Sequence, residues 1–197
     1  MEEYLDIRDE HGNVTGEVKA RSLVHRDGDL HGTSHVWIVR KNGKNGYDIL
    51  LQKRCEGKDS FPGSYDISSA GHIPAGNDYL ESAVRELKEE LGITVDPKDL
   101  RFLGMHKGEV KAEFYGNLFH NHEMSAIFIL EKDVKEGELC LQKEEVDSVL
   151  WIDYRECLEK MRDKTLRHCI FEDEFETLGE NLGILDKKRQ MKGSQRL

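Results

Sequence analysis

No run of apolar residues in this chain is long enough to cross a bilayer. The longest, around His35 to Val39 and Ser125 to Leu130, are strand length. The N-terminus shows no secretory-signal pattern. The four cysteines, Cys55, Cys140, Cys157 and Cys169, have no paired metal-ligand spacing, so they are expected to stay reduced in the cytoplasm. Basic charge is also short: 29 Lys and Arg face 39 Asp and Glu, for a formal net charge of -10. That balance argues against a nucleic-acid polymer as partner, which wants a basic surface. It would also repel a small polyphosphate unless a divalent cation bridged the two. Internal repeats and interdomain linkers are missing too, which leaves one domain. With 197 residues, 37% of them hydrophobic, the chain can build one substantial core.

What is present is a succession of short patterned segments. Tyr4 to Arg8 and Val14 to Val18 read as a hairpin about a turn at His11 to Asn13, and residues 20–32 as a polar segment with turn residues at its centre. His35 to Val39 and Asp48 to Lys53 read as a second hairpin, and Phe61 to Asp66 as a turn into a short strand, Ile67 to Gly71. Further strands are expected at Leu100 to His106, Glu113 to Asn117, Glu123 to Leu130 and Ser148 to Ile152. Helices are expected from an Asp153 cap to about Arg162 and over Phe171 to Leu182. This order predicts an α/β (α+β) domain with a mixed sheet between helices. Its expected limits are residues 1–185, with an N-terminal hairpin extension over 1–32, a core over about 33–165 and a C-terminal helix over 166–185. Residues 186–197 read as a disordered basic tail.

The chemistry concentrates between Gly71 and Ile93, a loop that becomes a helix and stops at a glycine. Leu80, Val84, Leu87 and Leu91 recur at helical spacing, while Glu86, Glu89 and Glu90 gather roughly 130° away around the axis. Asn77 is the expected N-cap and Gly92 the closing residue. Carboxylates on adjacent turns repel one another unless a cation sits among them, and their hard oxygens suit Mg²⁺ or Mn²⁺. An acidic helix face with no ligand is the alternative for any such pair of glutamates taken alone. Arg85, four residues before Glu89, is placed to orient the cluster.

Gly71, Arg85-Glu86-Leu87, Glu89-Glu90 and Gly92-Ile93 together match the Nudix box: Gly, five residues, Glu, seven residues, Arg-Glu-aliphatic, one residue, Glu-Glu, one residue, Gly-aliphatic. Only the first Glu departs, replaced by Asn77. The chain therefore resembles the Nudix hydrolases. The resemblance implies an α/β/α sandwich, metal held by Glu86, Glu89, Glu90 and the backbone carbonyl of Gly71, and one carboxylate, Glu86 by first choice, orienting the attacking water. Such enzymes often take a further carboxylate from outside the box, and Glu123, at the start of an apolar strand, is the candidate.

From His25 through the box the chain is also similar to isopentenyl-diphosphate isomerases, which share that fold. His25, His31 and His72 resemble their metal histidines, as further metal or substrate contacts, and Pro62-Gly63 their turn. The cysteine that protonates the substrate in those enzymes would stand at Ala70, which has no proton to give.

The expected function is a metal-dependent hydrolase cleaving a diphosphate bond in a nucleotide or another small organic diphosphate. An isomerase and a nucleotide-binding module without turnover are the alternatives. Trp37, Phe61, Tyr65, Phe114, Tyr115 and Phe119 are candidates for stacking on a base. The expected partner is a small molecule rather than a nucleic acid or membrane, and a homodimer is left open.

Overall fold

The structure, a computed structural model, describes residues 2–43 and 46–186. Its centre is β3 (His31–Asn42), buried without a break from His31 to Val39. Such a strand needs neighbours on both edges and cover on both faces. One edge runs parallel to β8 (Asn117–Glu131), from His31 opposite Glu123 to Val39 opposite Glu131. The other is shared by two antiparallel strands: β6 (Ser69–His72) takes Thr33 to Val36, and β4 (Gly46–Arg54) takes Val39 to Asn42. β1 (Tyr4–Arg8) touches β3 at His31 and forms the expected hairpin with β2 (Val14–Ala20). β5 (Tyr65–Asp66) and β9 (Val146–Asp153) flank β4, and β7 (Arg101–Phe114) pairs with β8. Parallel and antiparallel pairs coexist, so the sheet is mixed.

Alternation along β3 sends successive side chains to opposite faces. Val36 and Ile38 pack with Leu87 and Leu91 of α2 (Tyr79–Leu91). Trp37 and Val39 pack with Met161 of α3 (Tyr154–Arg162) and Phe175 of α4 (Glu172–Asn181). Each such side chain contributes roughly 1.5–3 kcal/mol on burial. Two cores on one sheet make the α/β/α sandwich. No helix among the described residues is long and apolar enough to cross a membrane.

Four local expectations are corrected. Glu113 to Asn117 is not a strand: Tyr115 and Gly116, at φ 53° and 79°, form a two-residue turn between β7 and β8. Positive φ at both central residues is what a tight hairpin turn requires, and the aromatic run masked it. Residues 20–32 are not merely a turn segment, since they contain α1 (Arg21–Asp27), closed by Gly28 in the left-handed region. Its single buried residue, Val24, packs with Leu5 and Ile7 and leaves too little periodicity to see in the sequence. The N-cap of α2 is Asp78, whose carboxylate accepts from the Glu81 amide at 2.8 Å. Asn77 instead closes the preceding turn by donating its amide to the Pro74 carbonyl. Of the C-terminal helix expected over 166–185 only Glu172 to Asn181 is helical, which bears out the narrower Phe171 to Leu182 to one residue at each end, because the chain before it runs extended past Tyr65. The expected basic tail lies, from residue 187 on, outside the described residues.

Candidate active site

Helix α2 lays its acidic side on β6 rather than in solvent. Glu90 is only 6% exposed, and its Oε2 accepts from the Ala70 amide at 3.3 Å. Glu86 reaches the backbone at Gly71, where a Cβ would collide with its carboxyl carbon. Glu89 stands at the rim with about half its side chain exposed (52%). Arg85 ties these together: its guanidinium lies 2.7 Å from Glu86 Oε1 and 3.3 Å from Glu89 Oε2, and donates to the His72 carbonyl at 3.2 Å.

Burial pushes the Glu86 carboxyl up to about 7, with Arg85 opposing and Glu89 adding to the rise. It pushes Glu90 up to about 8, with Glu86 adding. Crowded, partly desolvated carboxylates beside a bare backbone edge are a donor set that a hard divalent cation would satisfy.

A second group of donors stands beside the first. His25 from α1, His31 opening β3 and His72 ending β6 have ring centroids 5.2–5.3 Å apart, and one ligand nitrogen of each lies within 4.8 Å of the others. His31 Nδ1 is 3.0 Å from the Asp29 carbonyl, so it carries the proton. That leaves His31 Nε2 as a buried lone pair without a partner. The Nε2 atoms of His25 and His72 face each other at 3.2 Å. Burial lowers all three pKa values, that of His25 to about 4. Neutral imidazoles converging on one point fit a transition-metal ion better than Mg²⁺.

Glu123 is not a solvated strand end. Asn121 donates to its Oε2 at 2.6 Å and Ser125 to its Oε1 at 3.3 Å, and His35 Nε2 lies 3.4 Å from Oε1. Burial alone would raise this carboxyl, but the bonds and charge of His35 outweigh it and hold the pKa at about 2. His35 in turn meets Glu174 of α4. Sequence reasoning missed both residues. The signal was there, a polar residue inside each of two apolar patterns, but it has meaning only once the strand and helix faces are assigned.

These groups line one cleft of about 290 Å³. Gly71, Arg85, Glu86, Glu89, Glu90, Glu123, His25 and His72 all border it, and His31 stands behind in the histidine triad. Arg54 and Lys58, which the sequence reading did not single out, also border it, paired there with Asp66 and Glu145. Of the aromatic candidates, Phe61 and Phe119 reach the cleft, whereas Trp37 is core and Tyr115 is exposed at the hairpin tip. Phe61 adopts φ 47°, a strained conformation for a bulky residue.

The NUDIX domain model matches residues 30–172. Nudix hydrolase 3 of Arabidopsis thaliana is 41% identical over 157 residues, covering 79% of this chain but only 20% of that protein's length. An uncharacterized Nudix hydrolase of Clostridium acetobutylicum is 37% identical over 163 residues, covering 83% of this chain and 76% of that one. A crystal structure from Deinococcus radiodurans superposes with a TM-score of 0.69 at 17% identity, over 88% of this chain and 98% of that one. The NUDIX domain of Shewanella oneidensis NrtR, solved with ADP ribose, gives 0.55 at 14% identity, over 77% and 87%. At such identities the two structures bear on the fold alone. The domain match and the sequence relatives establish the family: this chain belongs to the Nudix hydrolases.

Proposed function

We propose that the protein is a metal-dependent pyrophosphohydrolase that cleaves a diphosphate bond in a nucleoside diphosphate derivative or another small organic diphosphate. The observation that carries this reading is the convergence of Glu86, Glu89, Glu90 and Gly71 on one cleft, with Glu90 buried and Glu86 largely so. Those four would hold Mg²⁺ or Mn²⁺, with the histidine triad as a further site for Mn²⁺. When bound, a divalent cation supplies charge neutralisation at phosphate and a lowered pKa for water. Glu86 orients the attacking water, and Arg85 fixes Glu86 and Glu89 by charge-assisted hydrogen bonds. Arg54 and Lys58, held by Asp66 and Glu145, border the cleft as donors to the substrate's phosphates. Phe61 and Phe119 offer an apolar wall to the organic part of the substrate.

The isomerase alternative lacks a proton donor at Ala70, and retention of all three box carboxylates disfavours a module that only binds. A phosphate-release screen tests the proposal, using nucleoside di- and triphosphates, ADP-ribose, sugar nucleotides and dinucleoside polyphosphates with Mg²⁺ or Mn²⁺. Turnover of one of these classes is expected. No turnover across the panel would overturn the proposal, and deuterium uptake from solvent into isopentenyl diphosphate would install the isomerase instead.

A further inference from the structure

Glu174 is 1% exposed in the first turn of α4, where an ionised carboxylate is expensive unless fully partnered. Both of its oxygens are engaged. Trp37 Nε1 donates to Oε1 at 2.8 Å, and His35 Nδ1 lies 2.8 Å from Oε2. The other face of the His35 ring turns toward the cleft, with Nε2 3.4 Å from both Glu123 Oε1 and Thr33 Oγ1. Thr33 donates to Ser125 at 2.8 Å, and Ser125 to the same Glu123 oxygen at 3.3 Å. Asn121 holds the second oxygen. An unbroken polar chain thus runs over the α4 face of the sheet from α4 through β3 to β8, and Glu174, His35, Thr33, Asn121 and Glu123 all border the cleft along it. Opposite His35 in the strand pairing stands Ala70, whose small side chain also borders the cleft.

Replacing a buried polar set by well-packed apolar residues is often neutral or stabilising, so stability is weak ground for keeping this one. We propose that Glu174 and His35 are positioning residues: Glu174 fixes the His35 ring, and His35, with Ser125 and Asn121, fixes the rotamer of Glu123 in the active cleft. This inference rests on the hydrolase reading for what Glu123 acts upon. A displaced carboxylate loses rate steeply, since about 1 Å of misplacement can lower turnover roughly 100-fold.

The test uses the full chain with Mg²⁺ and the member of the phosphate-release panel that the parent protein hydrolyses fastest. Glu174→Gln leaves one acceptor oxygen for two donors, so Trp37 and His35 compete. Turnover should fall about 10–100-fold, as for loss of a residue that orients a site group, with KM unchanged. The double variant His35→Ala/Glu174→Gln should lose no more than His35→Ala alone. In proton NMR, the downfield Nδ1 proton of His35 should be present in the parent and absent in Glu174→Gln. Should Glu174→Gln not fold, Asn121→Ala, on the half-buried hairpin, carries the test with a fall in turnover of the same kind. Parental turnover in Glu174→Gln or Asn121→Ala, losses that multiply in the double variant, or a persisting ring proton would overturn the proposal. A parent without turnover overturns the hydrolase reading instead, and the ring proton then still decides whether Glu174 holds His35.

Discussion

Gly71 and Glu86 share one space: a Cβ at residue 71 would run into the Glu86 carboxyl group and displace that side chain. The glycine is needed for close approach, since its φ is not in the left-handed region. Gly71→Ala should leave the circular dichroism spectrum intact while displacing Glu86, with turnover lowered roughly 100-fold. Near-parental rates would mean that Glu86 is not held against β6 during catalysis.

Glu90→Gln keeps the size of the side chain and removes a charge from the proposed metal site. Turnover at saturating Mg²⁺ should fall by about two orders of magnitude or more, in keeping with the several kcal/mol that metal charge stabilisation supplies. Steady-state kinetics on a verified substrate checks this, and a variant that matches the parent would remove Glu90 from the site.

Without metal, the same carboxyls make stability depend on pH. Their folded pKa values, about 7 for Glu86 and about 8 for Glu90, lie above the ordinary 4.5. Between those limits these two groups bind more protons in the folded protein than in the unfolded chain, so their contribution to stability is full below pH 4.5 and falls as pH rises toward 8. Thermal melts in EDTA from pH 5 to pH 8 should show a falling Tm at the upper end. The fall should be smaller in Glu90→Gln, and Mg²⁺ should raise Tm more at pH 8 than at pH 5 because the metal competes with protons for the carboxylates. The lowered pKa values of His25, His31 and His72 make stability rise with pH only up to about 6.5, so a Tm that rises from pH 7 to pH 8 in the metal-free parent would contradict the burial of the pair.

The start of α2 separates two neighbouring residues. Asp78→Ala removes the side chain that accepts from the Glu81 amide and should destabilise the fold by about 1 kcal/mol in urea unfolding. Asn77→Ala should change little, because Asn77 closes its turn through its backbone amide. Equal losses would show that the helix has no single cap.

Much of this protein is determined by local sequence. Period-two strands, the helical spacing of Leu87 and Leu91, the Asp153 cap and the Gly92 stop are set by neighbours a few residues apart, so they are legible without a fold. The order Arg85-Glu86-Leu87-Lys88-Glu89-Glu90 likewise puts three carboxylates on adjacent turns wherever the helix lies. Where two adjacent residues are equally suited, as Asn77 and Asp78 are, the choice falls to the turn that precedes them. Only the tertiary structure turned the acidic face onto β6, because burial of Glu90 depends on how α2 packs against the sheet. Only the pairing of β3 with β6 and β8 brought His25, His31 and His72 together and set Glu123 across from His31. The Glu174 to His35 link spans 139 positions. No pattern in sequence reports such a contact, since it exists only after α4 docks on the face of β3 opposite α2.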